Sequence, residues 1–296
     1  MINGVFCPSI TPLKTNGDID FSAWEKHLNF LIESGIDGIL IFGSIGEFHT
    51  LTVEQKVEAI EFVSRVIDHK TKFFVGTGST RLFDTQLLNR IAAENNADAV
   101  VIVGPYYFGL ADGEAMEYFR ELDTTSPLPI ILYNFPARTG TDLSPEFVSA
   151  LEAATTNIIG VKDTVDSAAH NRRVITATSS SFAVLSGFDE YYINNRLAGG
   201  SGVLSGLTNV APEIFVSMHS AYESGDFTTA LNEAKKISRL MPIYDVGVNF
   251  IQAIKCAVKI RNIPTLSASC HEITVPLTED EELEIKELLR KNVESD

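Results

Sequence analysis

The chain has 296 residues, of which 45% are hydrophobic and 21% are charged, and its formal net charge is -16 at pH 7. A chain of this size and composition can bury a large core, either as one α/β barrel or as two smaller domains. The negative charge repels phosphate backbones and acidic membrane surfaces, so we expect neither nucleic acid nor a membrane as a partner.

Eight apolar runs bounded by Gly, Pro, Asn or Asp predict eight β-strands in chain order. They span residues 5–10, 38–43, 72–77, 98–103, 128–133, 157–162, 182–186 and 201–205. Each is followed by a segment with helical spacing, at residues 22–34, 52–68, 83–96, 113–125, 144–154, 166–178, 189–198 and 210–223. Because strands that alternate with helices form a parallel sheet, this pattern predicts an α/β fold, a closed (β/α)₈ TIM barrel over residues 1–225.

The strand pattern stops after residue 225, and three further helices are predicted at residues 226–239, 241–261 and 278–293. The last begins with the capping-box pair Thr278 and Glu281. We therefore expect residues 226–296 to form a C-terminal helical extension packed on the barrel. A role as an interaction surface is the alternative interpretation.

The N-terminus shows no basic segment followed by an apolar stretch, and no apolar run has transmembrane length, so we expect a cytoplasmic protein. The three cysteines, Cys7, Cys256 and Cys270, are odd in number and widely separated. We interpret them as reduced thiols, because neither a disulfide framework nor a paired metal spacing is present.

Lys162 ends the apolar run of the sixth predicted strand, and Tyr133 ends the fifth. In a TIM barrel the C-terminal ends of the strands meet at one mouth, so the two side chains should lie together. A desolvated lysine amine can form a Schiff base with a keto acid, and a phenol can move the protons. The alternatives are a solvated lysine at the rim and a packed tyrosine.

Other strand ends add polar groups to the same mouth. Residues 43–47 form a turn whose two glycines allow a sharp bend and leave backbone amides free to hold a carboxylate. The remaining segments at the mouth are residues 104–107, 133–140, 162–164 and 186–190. The six histidines show no metal-ligand spacing, and no GxSxG elbow is present, so we expect no metal and no serine-hydrolase chemistry.

In combination, these segments resemble the dihydrodipicolinate synthase / N-acetylneuraminate lyase family of class I aldolases, in order and over nearly the whole chain. The resemblance implies a barrel with a C-terminal helical extension, usually a homotetramer. It also implies catalysis on pyruvate and an aldehyde through a covalent imine, without a metal or other cofactor.

The resemblance assigns a role to each residue at the mouth. Lys162 would form the imine and Tyr133 would shuttle the proton. Ser44 would link Tyr133 to a second phenol, Tyr107, which in this family comes from a neighbouring subunit. The backbone amides of Ser44 and Ile45 would hold the pyruvate carboxylate.

Departures from the lysine-biosynthetic synthases favour the sugar-acid branch of the family. Ile45 stands where those synthases usually have threonine. Thr164, together with Gly187 and the acidic pair Asp189 and Glu190, resembles the sugar-acid lyases, where such groups hold a polyhydroxylated chain. We therefore expect a 2-keto-3-deoxy-sugar-acid aldolase, of the 2-keto-3-deoxygluconate type, that releases pyruvate and an aldehyde.

Three alternatives remain open. Arg138 stands where the synthases bind the carboxylate of aspartate semialdehyde, which favours a 4-hydroxy-tetrahydrodipicolinate synthase, although a guanidinium suits any carboxylate or phosphate. A dehydratase or another relative on the same scaffold is the second alternative. A non-catalytic member of the family that binds a keto acid is the third. The joint presence of Lys162, Tyr133, Ser44 and Tyr107 argues against it.

Overall fold

The computed structural model describes residues 2–270 and 275–293. Eight parallel strands close into a barrel in sequence order, and β8 pairs with β1. The strands are β1 (Gly4–Pro8), β2 (Gly38–Ile41), β3 (Lys72–Gly76), β4 (Ala99–Val103), β5 (Ile130–Asn134), β6 (Ile158–Asp163), β7 (Ala183–Ser186) and β8 (Gly202–Leu204). The prediction of a (β/α)₈ TIM barrel is confirmed.

Helices follow the strands and continue beyond the barrel. They are α1 (Phe21–Glu33), α2 (Val53–Ile67), α3 (Leu82–Glu94), α4 (Asp112–Thr125), α5 (Pro136–Thr139), α6 (Pro145–Ala154), α7 (Ala168–Ala177), α8 (Tyr192–Leu197), α9 (Pro212–Ser224), α10 (Phe227–Leu240), α11 (Phe250–Arg261) and α12 (Glu279–Asn292). Local chemistry sets several starts: Thr52 with Gln55 and Thr278 with Glu281 form capping boxes, and Ser144 caps α6.

The strands are buried because helices cover the outside of the barrel and side chains fill its interior. All five residues of β4 are buried, as are all five of β5. A fully covered parallel sheet requires such continuous apolar runs, which is why the sequence pattern located the strands. In the register of β5 and β6, Tyr133 pairs with Lys162 and Asn134 with Asp163. The two strand ends thus deliver a phenol and an amine side by side.

The prediction of one helix over residues 241–261 is wrong. The chain forms a 3₁₀ turn at Met241–Asp245 and starts α11 only at Phe250. Pro242 has no N–H to continue a helix from α10, and Gly247 adopts a φ of 70°. Asn249 then caps α11 by accepting a bond from the Ile251 N–H. This break places residues 241–251 over the mouth of the barrel.

Two smaller differences also lie at the mouth. The predicted helix over residues 189–198 opens as a 3₁₀ turn, Asp189–Tyr191, before α8. The short helix α5 was not predicted, although Pro136 at its first position favours a helical start.

The C-terminal helices share one hydrophobic core with the barrel, through buried residues such as Ile237, Leu240 and Ile254. The division at residue 225 stays a prediction about the organisation of the chain. None of the helices within residues 2–270 and 275–293 is long and apolar enough to cross a membrane.

Candidate active site

Lys162 and Tyr133 meet at the C-terminal ends of β6 and β5. Both side chains are buried, and the Lys162 Nζ lies 4.2 Å from the centroid of the Tyr133 ring. The amine faces a cavity of about 410 Å³ that Tyr133 also lines. An amine so placed can attack a carbonyl in the cavity, and the Tyr133 side chain that lines the same cavity carries a hydroxyl that can act as an acid or base.

Ser44 joins this pair from the turn that follows β2. Its Oγ lies 3.1 Å from the Tyr133 hydroxyl oxygen, and either hydroxyl can donate the hydrogen bond. Among the described residues, the backbone N–H groups of Ser44 and Ile45 find no hydrogen-bond partner. The turn therefore offers a hydroxyl to the phenol and two backbone donors for an anion.

The conformation of the 43–47 turn depends on tight backbone packing. A Cβ at Gly46 would lie 3.0 Å from the backbone oxygen of Ser9, so only glycine fits without a shift. The Thr11 Oγ1 donates to the Gly46 carbonyl at 2.7 Å and ties the turn to the segment after β1. The sharp turn at residues 43–47 that the sequence predicts therefore depends on the missing side chain of Gly46 and on the hydrogen bond from Thr11.

The cavity of about 410 Å³ forms the inner lobe of the site and extends from Lys162 toward β7 and β8. Thr164 and Gly187 line it, and the buried Thr164 Oγ1 has no hydrogen-bond partner among the described residues. A Cβ at Gly187 would lie 1.9 Å from that oxygen, so glycine is required there. An unpaired buried hydroxyl is costly, and a polar ligand in the lobe would satisfy it.

Asp189 lines the same lobe, but its carboxylate is already engaged by the protein. It accepts hydrogen bonds from the Leu207 N–H at 2.9 Å and from the Tyr244 hydroxyl at 2.7 Å. Burial raises the pKa of Asp189, and the hydrogen bonds from Tyr244 and Leu207 oppose that rise. Glu190 is exposed and lines neither lobe, so the structure brings only the first of the two acidic residues to the cavity.

Arg138 lies at the opening, where the lobe near Lys162 meets an outer cavity of about 520 Å³. Its side chain is exposed, and its guanidinium carbon lies 6.0 Å from the Phe135 ring centroid and 5.9 Å from that of Phe250. The two rings hold this cation at the entrance, and none of the described residues forms an ion pair with it. The guanidinium can therefore bind an anionic group.

Tyr107 is not brought to the site within one chain. Its side chain is 82% exposed and packs edge-on against Phe108, with ring centroids 4.9 Å apart. It lines neither lobe of the cavity. A role for Tyr107 in the proton relay therefore needs a second subunit, as the resemblance implies.

A buried polar network supports the strand ends from behind. The Asp163 carboxylate accepts hydrogen bonds from Asn134 and Asn171, and its Oδ2 lies 3.1 Å from the His170 Nδ1. The hydrogen bond to Asp163, with the charges of Asp163 and Asp142, raises the pKa of His170 despite its burial. This network ties the end of β5 to the end of β6 and so fixes Tyr133 relative to Lys162.

Sequence reasoning missed the contribution of the C-terminal extension. Tyr244 and Asn249, from the segment between α10 and α11, line the cavity together with Phe250 at the start of α11. Pro242, Gly247 and Asn249 interrupt the helical pattern in the sequence, which predicts a break but not where the interrupted segment lies. Within the ranges described, no group of three or more His, Cys, Asp or Glu is placed to hold a metal ion.

A family model and several known proteins match nearly the whole chain, and all of them belong to one family. The model of the dihydrodipicolinate synthetase family matches residues 1–292. The putative 2-dehydro-3-deoxy-D-gluconate aldolase YagE of Escherichia coli (strain K12) is 32% identical over 98% of this chain and 97% of its own length. The probable 2-dehydro-3-deoxy-D-pentonate aldolase YjhH of the same organism is 33% identical over 88% of each chain.

The chain is also similar to a synthase and to a solved crystal structure. The 4-hydroxy-tetrahydrodipicolinate synthase of Methanococcus aeolicus is 33% identical over 95% of this chain and 94% of its own. The crystal structure of YagE in complex with pyruvate superposes with a TM-score of 0.95, covering 98% of both chains.

Proposed function

Because this chain belongs to the dihydrodipicolinate synthetase family, we propose that it cleaves a 2-keto-3-deoxy sugar acid into pyruvate and an aldehyde through an imine on Lys162. Membership makes the chain a pyruvate-dependent lyase, and the family resemblance predicted from the sequence is confirmed. Beyond that membership, we propose the imine on Lys162, the sugar-acid substrate and the role of each residue.

One observation carries the proposal: the buried Lys162 amine lies against the Tyr133 ring, and the Tyr133 hydroxyl is hydrogen-bonded to Ser44. The amine attacks the C2 carbonyl of the substrate. Tyr133 gives its proton to the departing hydroxide, so that water leaves and a protonated imine forms. Ser44 stabilises the resulting phenolate through the hydrogen bond it can donate.

Bond cleavage uses the same pair of residues. The Tyr133 phenolate takes the proton of the C4 hydroxyl while the C3–C4 bond breaks and its electron pair moves into the imine. An aldehyde leaves and an enamine remains on Lys162. Tyr133 returns the proton to C3, and water then hydrolyses the imine to release pyruvate. The protonated imine lowers the barrier because it accepts the electron pair of the breaking bond.

Pyruvate orientation is assigned to the 43–47 turn. The N–H groups of Ser44 and Ile45, which have no hydrogen-bond partner in the described part of the chain, would hold the carboxylate, and Ile45 contributes only its backbone. The keto carbon then lies between the turn on β2 and the amine on β6. YagE, which this chain resembles over 98% of its length, has been solved with pyruvate, which supports a keto-acid site in this chain.

The part of the Lys162 cavity that Thr164 and Gly187 line supports the sugar-acid branch. Among the described residues the buried Thr164 hydroxyl has no hydrogen-bond partner, and the missing side chain of Gly187 lets the two strand ends approach closely there. A polyhydroxylated chain supplies the donors and acceptors that such a group needs. The names of YagE and YjhH, a gluconate-type and a pentonate-type aldolase, favour the same substrate class. Glu190, which faces away from the lobe, has no part in this proposal.

Arg138 supports a second candidate function, the condensation of pyruvate with aspartate semialdehyde. Its exposed guanidinium at the opening can bind a second carboxylate. The similarity to the synthase of Methanococcus aeolicus supports this candidate as well. A non-catalytic keto-acid binder is disfavoured, because Lys162, Tyr133 and Ser44 lie in contact and not merely in the same chain.

We also propose that the protein acts as a cytoplasmic homotetramer in which Tyr107 enters a neighbouring subunit. Tyr107 is 82% exposed and the adjacent Phe108 is 78% exposed, which is unusual for two neighbouring aromatic side chains on a free surface. A subunit contact there would bury both rings and bring the Tyr107 phenol near the Ser44 of the other chain.

A comparison of activity on two sets of substrates tests the proposed function. The purified protein is offered 2-keto-3-deoxygluconate alone and, separately, pyruvate with aspartate semialdehyde. We expect pyruvate to be released from the first and little consumption of the second pair. Turnover of the second pair alone would replace the proposal with the synthase function.

A further inference from the structure

We propose that Lys255 is a positioning residue, which through a buried ion pair with Glu47 holds the 43–47 turn in the conformation that binds pyruvate. The inference rests on the proposed function, because it assigns the turn to the pyruvate carboxylate. It gives the C-terminal extension a part in catalysis although Lys255 does not touch the substrate.

The ion pair joins two distant parts of the chain. Lys255 lies on α11 and is 0% exposed, and Glu47, 208 positions earlier, is 2% exposed. The Lys255 Nζ donates directly to the Glu47 carboxylate and also to the Ser269 carbonyl at 2.9 Å. Burying two charges costs desolvation that their attraction does not always recover, so such a pair is weak evidence for a role in stability alone.

The turn needs an external restraint because its backbone is strained. Phe42 has a φ of 61° and Glu47 a φ of 55°, so a non-glycine residue in the left-handed region stands at each end. Side chains with a Cβ disfavour this region, and surrounding contacts must hold them in it. Phe42 is held by burial beside Trp24, with ring centroids 6.4 Å apart. At the other end, Lys255 holds the Glu47 side chain.

The restraint reaches the candidate active site through one hydrogen bond. The Glu47 N–H donates to the Ser44 carbonyl at 3.0 Å, so the position of Glu47 sets the orientation of the Ser44 peptide. Ser44 in turn carries the Oγ that bonds Tyr133 and one of the N–H groups assigned to the carboxylate. Release of Glu47 would therefore disturb both pyruvate binding and the proton relay.

A purely structural role, in which the pair only anchors α11, is the competing explanation. That helix is also held by a second ion pair, in which the Arg261 Nη2 lies 2.8 Å from the Glu213 Oε1 on α9. It also buries Ile254, Ala257 and Val258 in the shared core. Arg261→Met is therefore a matched control: it removes an ion pair between the same helix and the barrel, but not the one at the turn.

The test measures imine formation against pyruvate concentration in Lys255→Met and in Arg261→Met. Borohydride traps the imine, and intact-mass spectrometry gives the fraction modified. We expect the half-saturating pyruvate concentration to rise about tenfold or more in Lys255→Met and to stay within about twofold in Arg261→Met. Native half-saturation in Lys255→Met, or an equal rise in both variants, would overturn the positioning role.

A double variant separates positioning from stability. Glu47→Gln with Lys255→Met removes both charges of the pair, so its melting temperature should recover toward that of the native protein. We expect its half-saturating pyruvate concentration to stay raised, because the restraint on the turn is still missing. Recovery of both quantities would show that the pair is structural only, and this variant decides the question if Lys255→Met does not fold.

The native protein distinguishes the two proposals. If it gives no trapped adduct, the proposed function fails and the positioning role fails with it. If it gives the adduct and Lys255→Met saturates at the native pyruvate concentration, only the positioning role fails.

Discussion

The hydroxyl oxygens of Ser44 and Tyr133 lie 3.1 Å apart, although 89 positions separate the two residues in the chain. The contact joins the turn after β2 to the end of β5, across the mouth of the barrel. Because either hydroxyl can be the donor, a proton can pass between them in either direction. This contact connects the proposed pyruvate site to the phenol beside Lys162.

Tyr133→Phe should lower kcat on 2-keto-3-deoxygluconate by about 10²–10⁴-fold, because it removes the phenol hydroxyl to which the proposal assigns the proton transfers. The ring remains, so the melting temperature should change little. Steady-state pyruvate release gives kcat, and Tyr191→Phe serves as a control that removes an exposed hydroxyl bonded to Asp166. A Tyr133→Phe enzyme within about tenfold of native kcat would contradict the assigned role.

Thr164→Val should weaken sugar-acid cleavage and leave pyruvate binding alone. The variant keeps the shape of the side chain but removes a buried hydroxyl that has no partner among the described residues. We expect KM for 2-keto-3-deoxygluconate to rise about tenfold, corresponding to one lost hydrogen bond of about 1.4 kcal/mol. Half-saturation by pyruvate in the trapping assay should be unchanged. An unchanged KM would show that Thr164 does not contact the sugar chain.

Tyr107→Phe should lower turnover while imine formation persists, because Lys162 is intact and only the outer end of the relay is lost. Pyruvate release gives the rate, borohydride trapping gives the imine, and sedimentation gives the assembly. Phe108→Leu controls for a change in the exposed aromatic pair. Loss of trapping together with loss of the oligomer would assign Tyr107 to assembly instead of the relay.

His170 should make stability depend on pH in a defined direction. Its pKa is raised above the ordinary value of about 6.5, chiefly by its hydrogen bond to Asp163. The contribution of protonated His170 to the stability of the folded state is therefore fully present below pH ~6.5. It is lost as the pH rises through the raised pKa.

Urea unfolding of the native protein and of His170→Gln checks this dependence. We expect the difference between their free energies of unfolding to be larger at about pH 6 than at about pH 9. Taking the difference removes the effect of His27, whose pKa burial lowers to about 4. A difference that is constant with pH would show that His170 binds no extra proton in the folded state.

The sequence was sufficient to predict the barrel and the pair Lys162 and Tyr133 at the centre of the candidate site. Continuous apolar runs locate strands that are covered on both sides, and once the barrel is given, residues at strand ends must share one mouth. The sequence alone therefore places Lys162 and Tyr133 together, as the structure does. The same reasoning brought Glu190 to the site together with Asp189, although the 3₁₀ turn after β7 directs only Asp189 inward.

The contributions of the C-terminal extension could not be predicted in this way. Tyr244 reaches Asp189 across 55 positions, and Lys255 reaches Glu47 across 208. Helical periodicity shows which face of a segment is buried but not which distant residue it meets. The break at Gly247 also lies inside a pattern that suggested one continuous helix.

Borohydride reduction of the native protein in the presence of pyruvate, followed by peptide mass spectrometry, determines whether Lys162 forms the imine. We expect a single pyruvate-derived adduct on Lys162, absent from a folded Lys162→Ala variant that has also lost turnover. An adduct on another lysine, no adduct at all, or substantial turnover by Lys162→Ala would contradict this role of Lys162.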